Sequence, residues 1–206
     1  MKLKWLGHSC FELTLPGGAV VTDPYDDTVG YPPLHVKADA VLSSHDHFDH
    51  NFFAAVEGDP VIVNTPGTHE VCGAKVTAVP SFHDEVRGAK RGSNLIFAIE
   101  ADGLRVAHLG DLGHLPETDE QKAALSNLDV MLIPIGGFFT IETPQAVQII
   151  GLFKPRCAVA MHFRNRYCGF TVSDNSEFIR LTGAQTLPNE IEITADAPKG
   201  CCVMEI

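Results

Sequence analysis

The sequence predicts an α/β fold in which two β-sheets pack face to face and a few helices lie outside them. Many short apolar runs have the length of strands and are bounded by turn residues such as Gly, Pro and Asp. Few segments show a helical pattern. Several of the strand-like runs end at a histidine or an aspartate, which are side chains that bind metal ions. These strand ends indicate a metal site along a shared edge of the sheets.

The first half of the chain is predicted to consist almost entirely of short strands. Segment 25–37 contains Gly30, Pro32 and Pro33, so we expect a loop there that forms a wall of the site. Segment 52–56 is expected to form the first turns of a helix. The apolar runs place strands at 2–6, 10–15, 19–22, 38–44, 61–64 and 75–79.

The second half of the chain is predicted to combine strands with helices. An Asp102-Gly103 turn between two apolar runs predicts a β-hairpin. Segments 191–194 and 202–206 are expected to be peripheral strands. The remaining elements are the hairpin strands 94–99 and 104–108, strands at 130–135 and 157–161, and helices at 117–125, 143–153 and 173–181.

Composition narrows the class of protein. The chain has 206 residues, 45% of them apolar, and we expect a single domain over 1–206. A formal net charge of −11 argues against a nucleic-acid partner, whose phosphates need a positive surface. No apolar run is long enough to span a membrane, and no signal-peptide pattern is found, so we expect a cytoplasmic protein without a membrane partner. The six cysteines form no Cys-x-x-Cys pair, so no disulfide framework is expected.

The densest cluster of metal-binding side chains is the H-x-H-x-D-H motif at 45–50. Three imidazoles and a carboxylate within six residues are hard to explain by packing alone, and they suit zinc, iron or nickel. In an extended segment His45 and His47 project to the same side. Asp49 and His50 would approach from another direction, so that each pair could hold one metal ion.

Five strand-like runs lead to residues that can bind metal. Because ligands at the ends of strands are held rigidly, five such coincidences in one chain predict a common site rather than separate surface residues. These residues are Asp23, His45, His83, Asp111 and His162.

Three motifs together resemble the metallo-β-lactamase-fold hydrolase superfamily. They are the H-x-H-x-D-H motif, the opening WLGHSC at 5–10 and the HLGD segment at 108–111. The last two look like the branch that contains ascorbate-6-phosphate lactonase-like proteins. The resemblance extends from the first strand to His162. It implies an αβ/βα four-layer sandwich of two mixed β-sheets flanked by helices.

The resemblance also implies a set of metal ligands. His45, His47 and His83 would hold one divalent ion, and Asp49, His50 and His162 a second, with Asp111 bridging the two. Zinc is the first expectation, with Mn, Fe or Ni as alternatives. Asp49 and Asp111 would be the catalytic carboxylates.

The reaction implied is hydrolysis of an ester, lactone or phosphodiester in a small anionic metabolite, with a metal-bound hydroxide as the nucleophile. No Gly-x-Ser-x-Gly motif suggests a serine nucleophile. A non-catalytic metal-binding regulator, a di-iron redox enzyme of the same fold and a nuclease are the alternatives, although the net charge does not suit the last. The oligomeric state is left open, with a homo-oligomer as one alternative.

Four further residues are predicted near the ligands. Asp23 is expected to accept a hydrogen bond from a ligand histidine and so to fix its tautomer. His8 is expected near the pocket. Arg91 and Arg164 are the predicted contacts for an anionic substrate, from a cationic group that follows His83 and His162 and also includes Arg87, Lys90 and Arg166. Whether His108 or His114 contributes is left open.

Overall fold

A six-stranded mixed sheet contains the N-terminal strands. The computed structural model describes all 206 residues. In spatial order the strands are β15 (Glu190–Glu192), β1 (Lys2–Gly7), β2 (Cys10–Leu15), β3 (Gly18–Thr22), β5 (Ala40–Leu42) and β7 (Val61–Val63). The first three pairings in this order are antiparallel, and the last two, β3 with β5 and β5 with β7, are parallel.

An eight-stranded mixed sheet contains the strands of the second half. Four parallel pairings at one side are followed by three antiparallel pairings at the other. In spatial order the strands are β14 (Gln185–Pro188), β16 (Gly200–Glu205), β13 (Cys157–Met161), β12 (Val130–Pro134), β11 (Leu104–His108), β10 (Ser93–Ala101), β9 (Ala74–Phe82) and β8 (Gly67–Val71). A separate short ribbon pairs β4 (Val36–Lys37) with β6 (Val56–Glu57).

One continuous core of 58 buried apolar residues includes side chains from both sheets. Strand β1 alternates, with Leu3 and Trp5 inside and the lysines outside, because only one face of that strand is covered. Strands β12 and β13 are buried along their whole length, as expected for parallel strands covered on both faces. The predicted α/β architecture with two mixed sheets is confirmed.

The three α-helices all follow residue 118. They are α1 (Asp119–Ala124), α2 (Thr143–Phe153) and α3 (Ser176–Thr182). Helix α1 packs against β9 and β10, and α2 packs against β12 and α3. A capping box between Thr118 and Gln121 starts α1, since each side chain bonds the backbone N–H of the other residue. None of the three helices is long and apolar enough to cross a bilayer.

Several predicted elements are wrong. Segment 52–56 forms a single 3₁₀ turn at Phe53–Ala55 and then the strand β6, because Val56 pairs with Val36 instead of continuing a helix. Strand β16 is not peripheral, since it lies between β13 and β14 and its central residues are buried. Strands β8 and β14 were not predicted. All six cysteines are free thiols.

Candidate metal centre

The seven predicted metal ligands lie in one cluster. Their donor atoms form three overlapping groups, and within each group all the donor atoms lie within 4.8 Å of one another. The first group is the predicted first ligand set, and the second contains the predicted second set together with His8. The groups are His45, His47 and His83; Asp49, His50, His162 and His8; and His45, His50 and Asp111.

Asp111 lies at the centre of this cluster. Its Oδ2 is 3.3 Å from Nε2 of His50, 3.2 Å from Nε2 of His83 and 3.1 Å from Nε2 of His162. Burial alone would raise the pKa of Asp111, but His162 and His50 hold it well below its usual value. A buried, ionised carboxylate among three imidazoles can bridge two cations.

Asp111 is held in place by a buried asparagine. The backbone N–H of Asp111 donates to Oδ1 of Asn94 at 2.9 Å, and the Asn94 amide donates to the carbonyl of Leu109. Gly110 makes this contact possible, because a Cβ there would lie 2.2 Å from that Asn94 oxygen. No motif in the sequence marks Asn94.

Asp23 fixes the tautomer of His50. Nδ1 of His50 is 2.8 Å from Oδ2 of Asp23, and both side chains are fully buried. The ionised carboxylate can only accept, so Nδ1 of His50 carries a proton and Nε2 is the nitrogen left for a metal ion. This is the contact predicted for Asp23.

The same carboxylate fixes the tautomer of His45 through Ser44. The Ser44 hydroxyl donates to Oδ2 of Asp23 at 2.7 Å, and so it must accept from Nδ1 of His45 at 2.8 Å. The backbone N–H of Ser44 donates to the other oxygen of Asp23 at 2.7 Å. Nε2 of His45 therefore also keeps its lone pair. Ser44 was not predicted, because a serine at the end of a strand carries no distinctive signal.

His83 is oriented by a backbone carbonyl. Its Nδ1 donates to the carbonyl oxygen of Phe139 at 3.0 Å, which leaves Nε2 facing Asp111. In His45, His50 and His83 a hydrogen-bond partner thus engages Nδ1, and Nε2 is the nitrogen left for a metal ion.

The donor atoms fit divalent metal ions. Nε2 of His45, Nε2 of His50 and Oδ1 of Asp111 are buried and have no partner in hydrogen-bonding geometry. Native proteins rarely leave buried polar atoms unpaired, so atoms of this kind that converge on one point indicate a ligand. Imidazole nitrogen with carboxylate oxygen is a donor set for zinc, manganese, iron or nickel.

His8 contacts two residues of the second ligand group, Asp49 and His162. Its Nε2 lies 3.2 Å from Oδ2 of Asp49, and its ring is 4.3 Å from the ring of His162. Burial and the neighbouring His162 lower the pKa of His8 to about 4, so the neutral imidazole donates its proton to Asp49. His8 is placed near the pocket, as predicted.

His108 and His114 have no nitrogen free for a metal ion. Nε2 of His108 donates to the carbonyl of Ser9 at 2.8 Å, and Nδ1 accepts from the N–H of Gly110 at 3.1 Å. Nδ1 of His114 donates to the carbonyl of Leu115, and Nε2 accepts from a backbone N–H. Both histidines are structural residues that satisfy buried backbone groups.

Three residues of this site have a strained backbone conformation. His8, Asp23 and His162 all have φ between +42° and +53°, in the left-handed region that non-glycine residues seldom adopt. Such a residue costs on the order of 1–3 kcal/mol, so the surrounding packing must hold it in place. Each of these residues follows or joins a strand of one of the two sheets, so the strained turns direct their side chains into the cluster.

The loop after His83 is organised around Asp84, which was not predicted. Oδ1 of Asp84 accepts the N–H groups of Val86 and Gly88 at 2.9 and 2.7 Å, and Oδ2 accepts those of Lys90 and Arg91 at 2.9 and 2.7 Å. Burial raises the pKa of Asp84, but these four donors lower it to about 2.

Only two of the five predicted cations face the cluster. Lys90 and Arg91 line a cavity of about 320 Å³ together with members of both ligand groups. Arg164 lies outside that cavity, because it pairs with Asp174 at 3.6 Å and lines a different one. Arg87 pairs with Glu117 at the surface, and Arg166 bonds the C-terminal residue. Arg164 therefore does not line the cavity at this cluster.

Arg91 differs from every other arginine of the chain. Its half-buried guanidinium has no acidic partner and no hydrogen bond, and it lies 5.6 Å from the ring centroid of Phe139. The other six arginines each have a polar partner for the guanidinium: Arg87, Arg105, Arg156, Arg164, Arg166 and Arg180. Arg91 thus keeps its donors free beside the cluster.

Comparison with known proteins identifies the family of the chain. Residues 2–162 match the family described as the β-lactamase superfamily domain. The chain belongs to the metallo-β-lactamase superfamily. Within it, the UPF0173 metal-dependent hydrolase of Archaeoglobus fulgidus is 30% identical, in an alignment that covers 94% of this chain and 95% of that protein. This places the chain in the UPF0173 family of metal-dependent hydrolases.

A further relative and one solved structure support the assignment. The UPF0173 metal-dependent hydrolase of Thermococcus onnurineus is 29% identical, over 89% of this chain and 92% of the relative. A crystal structure from Thermotoga maritima, described as a candidate zinc-dependent hydrolase of the metallo-β-lactamase superfamily, is 33% identical with a TM-score of 0.81. The superposition covers 98% of this chain and 97% of that one. The predicted superfamily is confirmed.

Proposed function

We propose that this metal-dependent hydrolase uses two divalent metal ions to cleave an ester, lactone or phosphodiester in a small anionic metabolite. Zinc is the first candidate for both ions. The observation that carries the proposal is the overlap of the three donor groups around Asp111. One set of three histidines and one set of a carboxylate and two histidines share this aspartate as a neighbour. A sugar-phosphate lactone falls within the proposed class.

His45, His47 and His83 would hold one ion, Asp49, His50 and His162 the other, and Asp111 would contact both. Two bound ions would supply Lewis acidity, which lowers the pKa of water to about 7 and polarises the bond to be cleaved. Mn, Fe or Ni would suit the same nitrogen and oxygen donors.

The chain itself supplies a proton acceptor. Asp49 lines the cavity, and His8 holds its Oδ2. Burial raises the pKa of Asp49, yet His50 and the hydrogen bond from His8 keep it ionised at neutral pH. The oxygen of the attacking water forms a bond to the carbonyl carbon or phosphorus, and the bond to the leaving oxygen breaks. Asp49 takes the proton from water and returns it to that leaving oxygen.

Arg91 supplies the contact for an anion. A guanidinium binds carboxylate or phosphate with two parallel hydrogen bonds, and Arg91 has all its donors free at the cavity. Lys90, on the same loop, also lines the cavity, but its ammonium group is paired with Glu85. Because the chain as a whole carries a formal charge of −11, one unpaired cation at the cavity favours a small anion over a long polyanion such as nucleic acid.

The metal content of untagged protein, measured by elemental mass spectrometry, tests the proposal together with hydrolysis assays before and after chelation. We expect about two equivalents of metal, and turnover of model phosphodiesters or lactones that the chelator abolishes and added zinc restores. Two equivalents of metal without any turnover would favour a regulatory protein, and iron in the purified protein would favour redox chemistry. Protein that binds no metal would refute the site.

The anion contact has a matched control on the same loop. Arg91→Ala should raise KM for anionic substrates about tenfold, because a bond to a charged group contributes roughly 1.5–3 kcal/mol. Arg87→Ala removes the same side chain from a position that is 79% exposed and paired with Glu117, and it should leave KM unchanged. Equal KM values in the two variants would show that Arg91 does not bind substrate.

A further inference from the structure

We propose that three phenylalanines at the mouth of this cavity form an apolar subsite, so that the substrate carries an aromatic or similarly flat apolar group beside its anionic group. This inference rests on the proposed function, since it places the bond to be cleaved at the metal centre. The rings, Phe48, Phe139 and Phe170, are hereafter called the aromatic wall.

The aromatic wall comes from three separate loops. Phe48 lies within the H-x-H-x-D-H motif, Phe139 follows β12, and Phe170 lies between β13 and α3. The Phe170 ring stands edge-on to both others, with centroids 6.3 Å from Phe48 and 6.2 Å from Phe139. Aromatic rings prefer such edge-to-face contacts, so the three loops form one surface.

The wall continues down to the proposed ligands. The Phe170 ring lies 5.5 Å from the ring of His8, nearly perpendicular to it. Phe139 contributes twice, since its carbonyl accepts from His83 while its ring lines the cavity. A group stacked on this wall would therefore lie beside the metal centre.

Phe139 and Phe170 pack against the protein core, but core packing does not account for Phe48. Phe48 is outside the core and 51% exposed to water, although burying a phenylalanine is favourable. A ligand that covers this ring would recover that stabilisation. An exposed ring that also lines a concave site, next to unpaired polar groups, is typical of a small-molecule pocket.

A cation next to the wall defines the second half of the ligand. The Arg91 guanidinium lies over the ring of Phe139, so the anion and the apolar group of a ligand would bind side by side. Stacking on a ring leaves the edge of a guanidinium free for hydrogen bonds. The four backbone hydrogen bonds to Asp84 hold Arg91 in this position.

Binding of two phosphonates to the zinc-loaded protein tests the subsite without requiring turnover. Phenylphosphonate and methylphosphonate carry the same anionic group, and calorimetry gives Kd for each. We expect phenylphosphonate to bind about tenfold more tightly, in line with one edge-to-face contact plus burial of the ring. The double variant Phe48→Ala/Phe170→Ala should reduce that preference to less than about threefold.

A third phenylalanine provides the control. Phe52 follows the metal motif and is 39% exposed, but it does not line the cavity, so Phe52→Ala should keep the tenfold preference. Because Phe48 is half exposed, Phe48→Ala alone should fold normally and lower the preference in part. The proposal is overturned if wild-type protein binds both phosphonates equally or not at all, or if the double variant keeps the full preference.

The failure of this inference can be told apart from failure of the proposed function. Hydrolysis that depends on metal, together with equal binding of the two phosphonates, would refute the aromatic wall only. A preference for phenylphosphonate that depends on Phe48 and Phe170, without hydrolysis of any ester, lactone or phosphodiester, would refute the proposed function. The same result would support the apolar subsite.

Discussion

Replacing Asp23 with asparagine should weaken metal binding although Asp23 is not a ligand. Its Oδ1 accepts from the N–H of Ser44, and its Oδ2 accepts from the Ser44 hydroxyl and from Nδ1 of His50, at 2.7 to 2.8 Å. Asparagine has the same shape but only one accepting oxygen. Both of its orientations in the fully buried site are therefore unfavourable.

In one orientation the amide NH₂ faces His50. The proton of His50 then moves to Nε2, which removes the lone pair that a metal ion needs. Loss of an outer partner of this kind typically weakens metal binding 10- to 100-fold, or about 1.4–2.7 kcal/mol. In the other orientation the NH₂ faces the N–H of Ser44, and an unsatisfied buried donor lowers the free energy of unfolding by about 1–3 kcal/mol.

Two measurements separate these cases. Competition with a chromophoric chelator gives the zinc affinity of each site, and denaturant unfolding in excess chelator gives the stability of the metal-free protein. Asp59→Asn is the control, because Asp59 is exposed and has neither a hydrogen bond nor an ion pair. If Asp23→Asn matches this control in both zinc affinity and stability, the role assigned to Asp23 is refuted.

Two other substitutions give sharp outcomes in the same unfolding assay. Asp84→Asn should lower the free energy of unfolding by about 3 kcal/mol at pH 7, because asparagine has one accepting oxygen and two of the four backbone N–H groups lose their acceptor in either orientation of the amide. Since folding lowers the pKa of Asp84 to about 2, this stabilisation is complete above the unfolded pKa of about 3.9 and is lost as pH falls towards 2, so the variant and wild type should converge in acid. His108→Leu should cost about 2 kcal/mol, because a buried carbonyl and a buried N–H lose their partner, while the metal stoichiometry stays that of the wild type. A fall in stoichiometry would instead make His108 a ligand.

Much of the site could be predicted because its signals are local or tied to strand ends. The H-x-H-x-D-H motif puts four donors within six residues, so no knowledge of packing is needed to recognise it. His83 and His162 come directly after β9 and β13, and strands of one sheet bring such ends together. The strands themselves were predicted from apolar runs, and the errors fell where pairing with a distant partner decided the outcome, as at β6 and β16.

The remaining features depend on contacts between residues far apart in the chain. His108 and His83 look alike as histidines near a strand end, but only the folded chain gives both nitrogens of His108 a backbone partner, one of them 99 residues away. Arg91 and Arg164 each follow a histidine that the sequence predicts as a metal ligand. Only the packing shows that Asp174 pairs with Arg164 while Arg91 stays unpaired over Phe139.

The sequence by itself determined which side chains could bind metal and roughly where the strands that carry them end, because both follow from residue type and local periodicity. The tertiary structure decided which nitrogens remain free, which cations face the cavity and which aromatic rings meet there. Those properties depend on hydrogen-bond partners and on three loops that converge from distant parts of the chain, and no local pattern records them.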